Sequence, residues 1–270
     1  RTLLEVSSMF SDGQAAYADR SMDGSKFARR NLSLRARRTA ITPLIDSLEA
    51  TIFMNTVDHV MDNYSLRTFT SSMMMPGRAA ANPDRQTFGG RALAKLVPES
   101  GLWRIVLGAD YQGNQHRSRS TNNEPADPYE LKARVKDAEF AATGVFGEAT
   151  RQFDANRRVV AGGRVDFWRA QDYRTLVATG MMGSATNPTA NQTRTCDLPS
   201  AFVRYEHDYT SGATWFAGVG LAERFPDESG LRERILNQAA REVLLMMGSD
   251  WAFLMRAGKS SAFARRQTHA

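Results

Sequence analysis

Apolar and polar residues alternate with a period of two over long stretches of the chain. In the clearest stretch, one face carries an apolar set: Trp103, Ile105, Leu107, Ala109 and Tyr111. The opposite face is polar or small and carries Arg104, Gly108, Asp110, Gln112, Asn114 and His116. Residues 85–97 alternate in the same way, and a turn sequence at 98–101 joins the two segments. A period of two is typical of strands with one apolar face, so we predict a long β-hairpin here.

The same alternation recurs and predicts about nine strands in all. Further examples lie at residues 32–36, 48–54, 159–167, 201–206 and 214–221. Several of these strands are longer than the usual length of about five or six residues. We therefore predict a mainly β fold of long antiparallel strands.

Short turns alternate with long polar connections in this part of the chain. The short turns lie at 98–101, 154–156 and 211–212, and the long connections at 11–30, 65–84, 117–128 and 182–198. Short turns at one end and long loops at the other favour an antiparallel transmembrane β-barrel. Trp103 and Tyr111 would then be interfacial aromatics, roughly 26 Å apart at about 3.3 Å per residue. The alternative is a soluble sandwich or a lipocalin-like barrel for a small apolar ligand, with the large apolar side chains inside. Strand length and loop asymmetry favour the membrane interpretation.

The period changes near Asp227. Apolar residues then recur at helical spacing, at Leu231, Ile235, Ala239, Val243 and Met246. Gly248 is suited to end this helix, and residues 249–250 could cap a second short one. We therefore divide the chain into a β-barrel segment at 1–227 and a short α-helical tail at 228–270.

Composition narrows the functional classes. The single cysteine, Cys196, excludes an internal disulfide framework and a multi-thiolate zinc site. The formal charge is +6, but the 35 basic and 29 acidic residues are interspersed, so we predict no nucleic-acid partner. No G-x-S-x-G, P-loop or H-E-x-x-H sequence occurs, and we predict a protein that is not an enzyme.

His59 and Met61 carry the clearest chemical signal. They lie two residues apart, so on a strand both side chains share a face, and continuing the alternation from Leu48 places them on the inner one. An imidazole with a thioether is a soft donor pair that suits Cu(I) better than magnesium or calcium. The competing interpretation is that so short a motif occurs by chance. The sequence thus predicts a metal site at His59 and Met61, with no catalytic residues.

Other candidate donors are less informative. Met73, Met74 and Met75 in the following connection could relay a soft ion, or could form an apolar loop tip, which the sequence alone favours. His116, His207 and His269 are expected to be solvated surface residues. Cys196 is expected to be a loop thiol without function, since Ser200 at position +4 offers no second soft donor.

Residues 2–227 resemble the middle of a TonB-dependent outer-membrane copper receptor. The resemblance covers about four-fifths of the chain and is carried by AYADRSMDG (16–24), DHVMDNY (58–64), GVFGE (144–148) and AERFPD (222–227). In that family a barrel of about 22 strands encloses an N-terminal plug. The resemblance implies an outer-membrane location, contact with lipid, and binding and uptake of copper. From the soft donor pair we expect Cu(I) rather than Cu(II). It also implies that His59 and Met61 are the barrel's ligands.

The same resemblance implies that this chain is a partial barrel. In the family the plug completes the copper site with a cysteine and a methionine and contacts the TonB complex, so TonB would act here only through a plug that this sequence lacks. Cys196 does not match the plug cysteine. We expect an internal piece of a longer protein that binds copper weakly on its own, because two soft ligands leave the ion under-coordinated.

The tail does not continue this family. Residues 229–266 resemble the C-terminal helices of glycoside hydrolase family 57 glucan branching enzymes, through LNQAAREVLL (236–245) and SDWAF (249–253). Trp251 matches a tryptophan near the glucan site of those enzymes, whose catalytic carboxylates belong to another domain. We expect a fusion of unrelated segments, as in a chimeric or truncated reading frame. The alternative functions are therefore a fragment of a branching enzyme and a soluble ligand-binding barrel.

Overall fold

The computed structural model describes residues 1–73, 75–179, 183–209 and 212–223. The regular secondary structure of these residues is β strand, apart from one turn of 3₁₀ helix at Tyr129–Leu131. The strands are β1 (Thr2–Ser11), β2 (Asp23–Thr39), β3 (Ile45–Asp62), β4 (Ala80–Ala81), β5 (Asp84–Leu96), β6 (Trp103–Ser118), β7 (Ser120–Thr121), β8 (Val135–Gln152), β9 (Arg157–Asp172), β10 (Leu176–Thr179), β11 (Gly183–Thr186), β12 (Thr193–Asp208) and β13 (Thr214–Ala222).

Nine of these strands form one antiparallel sheet in which each long strand pairs with the next along the chain. The order is β1-β2-β3-β5-β6-β8-β9-β12-β13, while β4 and β7 extend the sheet beside β3, and β10 and β11 form a separate hairpin. Among the described residues, no pairing joins β1 to β13. All residues of these two edge strands are exposed. The prediction of about nine antiparallel strands is confirmed.

One face of the sheet is apolar. A single cross-strand row contains Leu4, Ala36, Ala50, Ala92, Ala109, Val145, Val165 and Pro199. We call this side the apolar face. Its large side chains are exposed, with Leu107 at 48% and Trp215 at 51%. The described residues contain only four buried apolar residues, Val60, Ala79, Ala80 and Val160.

The opposite face is charged, and we call it the polar face. The row adjacent to the one above contains Glu5, Arg35, Thr51, Arg91, Asp110, Gly144, Asp166 and Leu198. Arg164 donates to both carboxylate oxygens of Asp110 at 2.7 Å and also pairs with Asp166. Arg35 donates to Glu49 at 2.8 Å. A soluble barrel with its large apolar side chains inside is wrong for the described residues, because those side chains, Leu107 and Trp215 among them, are about half exposed rather than packed in a core.

The connections differ at the two ends of the sheet. The connections from β2 to β3, from β5 to β6, from β8 to β9 and from β12 to β13 are short, and those from β1 to β2, from β3 to β5, from β6 to β8 and from β9 to β12 are long. Because the strands follow one another in an antiparallel meander, all the short turns lie at one end and all the long loops at the other. We call the latter the loop end. The predicted asymmetry is confirmed.

Several boundaries differ from those predicted. β1 and β8 were not singled out by alternation, and β2 and β12 extend into residues 23–30 and 193–198, which were assigned to connections. The predicted helical tail lies outside the described residues. None of the described helical segments is long and apolar enough to span a membrane.

Candidate functional site

His59 and Met61 lie on β3 near the loop end of the sheet. Both are on the polar face, as the alternation predicts, since the β2–β3 register is unbroken from Ile52 to Val60 and its shift before Met61 leaves the extra residue in β2 rather than in β3. Across the β2–β3 pair, His59 is opposite Phe27 and Met61 is opposite Gly24. Both side chains are partly buried. The strand thus holds an imidazole and a thioether side by side at the loop end.

The His59 side chain is held by an aromatic contact. Its ring stacks on Phe27 with the centroids 4.3 Å apart and the planes at 25°. The Nε2 atom is buried and has no hydrogen-bond partner. An unpartnered, buried imidazole nitrogen is costly unless something binds it, and a neutral imidazole nitrogen is a common metal ligand. Sequence reasoning did not identify Phe27, although its place opposite His59 follows from the β2–β3 register.

The peptide of His59 is fixed by residues from the long loop after β3. Its N–H donates to the carbonyl of Pro83 at 3.1 Å, and its carbonyl accepts from Asn82 Nδ2 at 2.9 Å. Asn82 is 1% exposed, also donates to Asp58 Oδ1 at 2.7 Å, and accepts from Arg119 Nε at 2.8 Å. Asn82 therefore ties the end of β3 to the loop between β6 and β8. No sequence pattern marked this residue.

Asp58, beside His59, is the centre of an ion-pair network on the other side of the strand. It accepts from Lys26 Nζ at 2.7 Å and from Arg134 Nη2 at 2.8 Å. Arg134 also lies 3.4 Å from Asp84, which pairs with Arg117. The network connects β2, β3, β5, β6 and the start of β8, so it fixes the loop end of the sheet around His59.

The residues after Met61 close the loop by local hydrogen bonds. Asp62 Oδ1 accepts from the N–H groups of Tyr64 at 3.0 Å and Ser65 at 2.7 Å. Asn63 Oδ1 accepts from Ala79 N at 2.9 Å, and its Nδ2 donates to the thioether sulfur of Met75 at 3.7 Å. The loop that carries the methionines is thus anchored directly next to Met61.

Arg67 and Asp23 join this loop to the one between β1 and β2, and we call their contact the loop clamp. Arg67 donates to Asp23 Oδ2 at 2.7 Å and to the carbonyls of Arg20 and Tyr17, both at 2.9 Å. Asp23 is 1% exposed and also accepts from Tyr17 N at 2.8 Å. Hydrogen bonds from Arg67 and from the Tyr17 amide lower the pKa of Asp23 to about 2. The two loops beside the site are therefore held together by a carboxylate that is charged at any physiological pH.

The other candidate donors are scattered. Met73 is 97% exposed, Met75 is partly buried, and Met74 lies outside the described residues. No group of three or more His, Cys, Asp or Glu side chains suited to a metal ion occurs in the described part of the chain. The pair at His59 and Met61 is therefore an incomplete ligand set within these residues.

Two expectations about single residues are wrong. His116 is not solvated, since its Nε2 is buried without a partner and its ring packs edge-on against Phe140 at 5.6 Å. Cys196 is not in a loop but within β12, opposite Trp168, and its side chain is partly buried. His207, by contrast, lies at the end of β12 as expected and stacks on Tyr209 at 4.7 Å. His269 lies outside the described residues.

Comparison with known proteins gives two separate similarities. Residues 6–241 match the family model described as TonB dependent receptor-like, beta-barrel. Among solved structures, the chain is similar to one named copper transporter OprC, with 40% sequence identity, a TM-score of 0.76 and coverage of 84% of this chain. The chain spans about a third of that protein, 35% of its length.

The second similarity is confined to the C-terminal part. Residues 217–270 match a model described as 1,4-alpha-glucan branching enzyme, C-terminal. A branching enzyme of Thermococcus kodakarensis is 37% identical over 49 residues, which are 18% of this chain and 7% of the enzyme. Nearly all of the segment matched by the family model lies beyond the described residues.

Proposed function

The chain belongs to the family of TonB-dependent receptor β-barrels, and from this premise we propose that it forms part of an outer-membrane barrel that binds and takes up copper. In this proposal the apolar face contacts lipid and the polar face lines the lumen. His59 and Met61 are ligands at the loop end of the lumen. In this proposal, contact with the TonB complex depends on a plug domain.

The observation that supports the membrane part of the proposal is the exposed apolar face. An uninterrupted apolar row crosses eight strands, while the adjacent row on the other side carries three acids and two arginines. Alternation of apolar-out and polar-in is the pattern of transmembrane barrels. Trp103 and Tyr111, eight positions apart on β6, mark the two ends of this face at roughly the spacing of the two bilayer interfaces.

The copper part rests on the donor chemistry and on the similarity to a copper transporter. His59 offers an unpartnered nitrogen, and Met61 offers a thioether on the same face of the same strand. This soft pair favours Cu(I) over Cu(II) and over hard cations. We infer that the full ligand set needs donors outside the described residues, so this chain binds Cu(I) weakly. Met73, Met74 and Met75 could hand the ion to the pair from the loop.

Titration with Cu(I) tests the assignment. The purified chain in detergent micelles competes with a chromophoric Cu(I) chelator, and affinities are compared for the parent chain and for the His59→Ala/Met61→Ala double variant. We expect the double variant to lose measurable binding and each single variant to bind more weakly. Met54→Ala is the matched control, since Met54 lies on the same strand but on the apolar face. Equal affinity in the parent and double variant would refute the assignment.

The branching-enzyme similarity is a weaker candidate for function. The curated enzyme is matched over only 7% of its length. We therefore propose that the receptor family, which matches the greater part of the chain, determines its function.

A further inference from the structure

An arginine lies on the apolar face at the end of the sheet opposite the loop end. Arg151 is the second-last residue of β8 and lies on the same side of that strand as Val145, six positions earlier. Its cross-strand partner is Trp103, the tryptophan that marks this end of the apolar face. The arginine side chain is exposed. A positive charge is therefore placed beside the aromatic residue at which the apolar face ends.

Two aromatic rings contact the guanidinium of Arg151. Its Cζ atom lies 5.1 Å from the centroid of the Trp103 ring and 5.7 Å from the centroid of the Phe153 ring. Both distances are in the range of a cation–π contact. Phe153 is 53% exposed, and its N–H donates to the carbonyl of Arg157 at 2.9 Å, which fixes the start of the short turn after β8. The two rings therefore give the guanidinium a defined place at the edge of the apolar face.

The charge of Arg151 has no anionic partner within the described part of the chain. Asp154, in the turn that follows, is paired with Arg157 and also accepts from the N–H groups of Asn156 and Arg157, both at 2.9 Å. Glu148, three positions before Arg151, lies on the polar face. A guanidinium has five N–H donors and binds the oxygens of a phosphate as well as those of a carboxylate. The position is therefore suited to a phosphate that comes from outside the chain.

We propose that Arg151, Trp103 and Phe153 form a binding site for the phosphate of an anionic phospholipid. The aromatic residues that flank the apolar band of a transmembrane barrel lie at the level of the lipid headgroups. In this site the guanidinium donates to the phosphate oxygens, and the two rings contact the apolar part of the same lipid. The site rests on the proposed function, in which the apolar face contacts lipid. It adds a lipid class, and it adds a leaflet, because the short turns of such barrels are periplasmic.

Lipid retention by the full chain tests the site. The chain is refolded into detergent micelles that contain equal amounts of phosphatidylglycerol and phosphatidylcholine with the same acyl chains. Native mass spectrometry then measures how much of each lipid stays bound. One basic residue beside anionic lipid changes binding by about 5-fold. We therefore expect Arg151→Gln to reduce the preference for phosphatidylglycerol over phosphatidylcholine by about 5-fold relative to the parent.

Two further variants control for net charge and for folding. Arg104→Gln removes the same charge next to Trp103, but Arg104 is exposed on the polar face, opposite Thr150, and its loss should leave the preference unchanged. Arg151→Lys keeps the charge and should retain most of the preference. Far-UV circular dichroism of each variant checks that its β content equals that of the parent.

The outcomes separate the site from the proposed function. A fall in preference in Arg151→Gln but not in Arg104→Gln supports the site. Equal preference in all chains, or an equal fall in both glutamine variants, would overturn it and leave the lipid contact of the apolar face in place. Retention of neither lipid by the parent would overturn both. Displacement of phosphatidylglycerol by the same concentration of soluble glycerol 3-phosphate would overturn the assignment to lipid, because the apolar part of the ligand would then contribute nothing.

Discussion

A charge placed on the apolar face should destabilise the fold strongly if that face contacts hydrocarbon. Leu107 lies midway between Trp103 and Tyr111 and is 48% exposed, with small residues, Ala94 and Gly147, as its cross-strand neighbours. An arginine at this depth of a lipid-facing surface costs about 2–4 kcal/mol. Leu107→Arg should therefore shift the folding equilibrium by roughly 30- to 1,000-fold.

The adjacent residue provides the matched control. Val106 lies on the polar face of the same strand, between Lys95 and Glu148. An arginine there would face water and could pair with Glu148, so we expect a change within about 1 kcal/mol. The two variants have the same new side chain, one position apart, and differ only in the face on which it lies.

Urea unfolding of the chain refolded into detergent micelles measures both effects, with tryptophan fluorescence as the signal. We expect the free energy of unfolding to fall for Leu107→Arg and to stay near the parent value for Val106→Arg. The reverse order, with Leu107→Arg tolerated and Val106→Arg severely destabilised, would mean that the apolar face meets water and that the polar face is a protein interior. That result would refute the lipid-facing assignment.

Two further predictions follow from the sheet edges and from the loop clamp. In lipid vesicles the chain alone should show no heat-modifiable band on electrophoresis, which is the sign of a closed barrel. The reason is that β1 and β13 have no second neighbour among the described residues, and each unpaired backbone group in hydrocarbon costs several kcal/mol. A heat-modifiable band would contradict this prediction. The Arg67 contact lowers the pKa of Asp23 from its ordinary value of 3.8 to about 2, so the clamp's contribution to stability is present above about pH 4 and is lost as the pH falls through about 2. Pepsin should therefore cut the loops after β1 and β3 of the parent chain only near pH 2, but those of Asp23→Asn throughout the range from about pH 2 to about pH 4. Asp19→Asn, in the same loop as Asp23, should match the parent. Equal cutting of all three chains would reject the clamp.

The sequence alone was sufficient to predict the strand segments that lie between the two ends of the apolar face. There one face of the sheet is apolar and the other is polar, so alternation is strong, as on β6. It was not sufficient for β8, where Ala141, Ala142, Gly144 and Gly147 place small residues on both faces. β1 likewise has adjacent apolar residues, Leu3 and Leu4, that obscure the period.

Strand ends beyond the apolar face were also missed, for a different reason. Residues 23–30 of β2 and 193–198 of β12 extend toward the loop end, where polar residues occur on both faces. A period of two can be recognised only when the two faces differ, so these segments were assigned to connections. The misassignment of Cys196 has the same origin.

For the candidate site, the sequence placed His59 and Met61 on the polar face but gave nothing of their surroundings. Phe27 and Asn82 come from 32 and 23 positions away in the chain, through the β2–β3 register and the long loop after β3. The burial of His116 against Phe140 depends likewise on the β6–β8 pairing. Such contacts depend on which residues of neighbouring strands are paired. The types of residue in the sequence did not determine that pairing.

X-ray absorption at the copper K-edge of the Cu(I)-loaded chain tests whether His59 and Met61 bind the ion together, because nitrogen and sulfur neighbours of copper are distinguished by their scattering. We expect both an imidazole nitrogen and a sulfur bound to copper in the parent chain, with the sulfur lost in Met61→Ala and the imidazole lost in His59→Ala. A spectrum with light-atom neighbours only, or one that neither substitution changes, would contradict it.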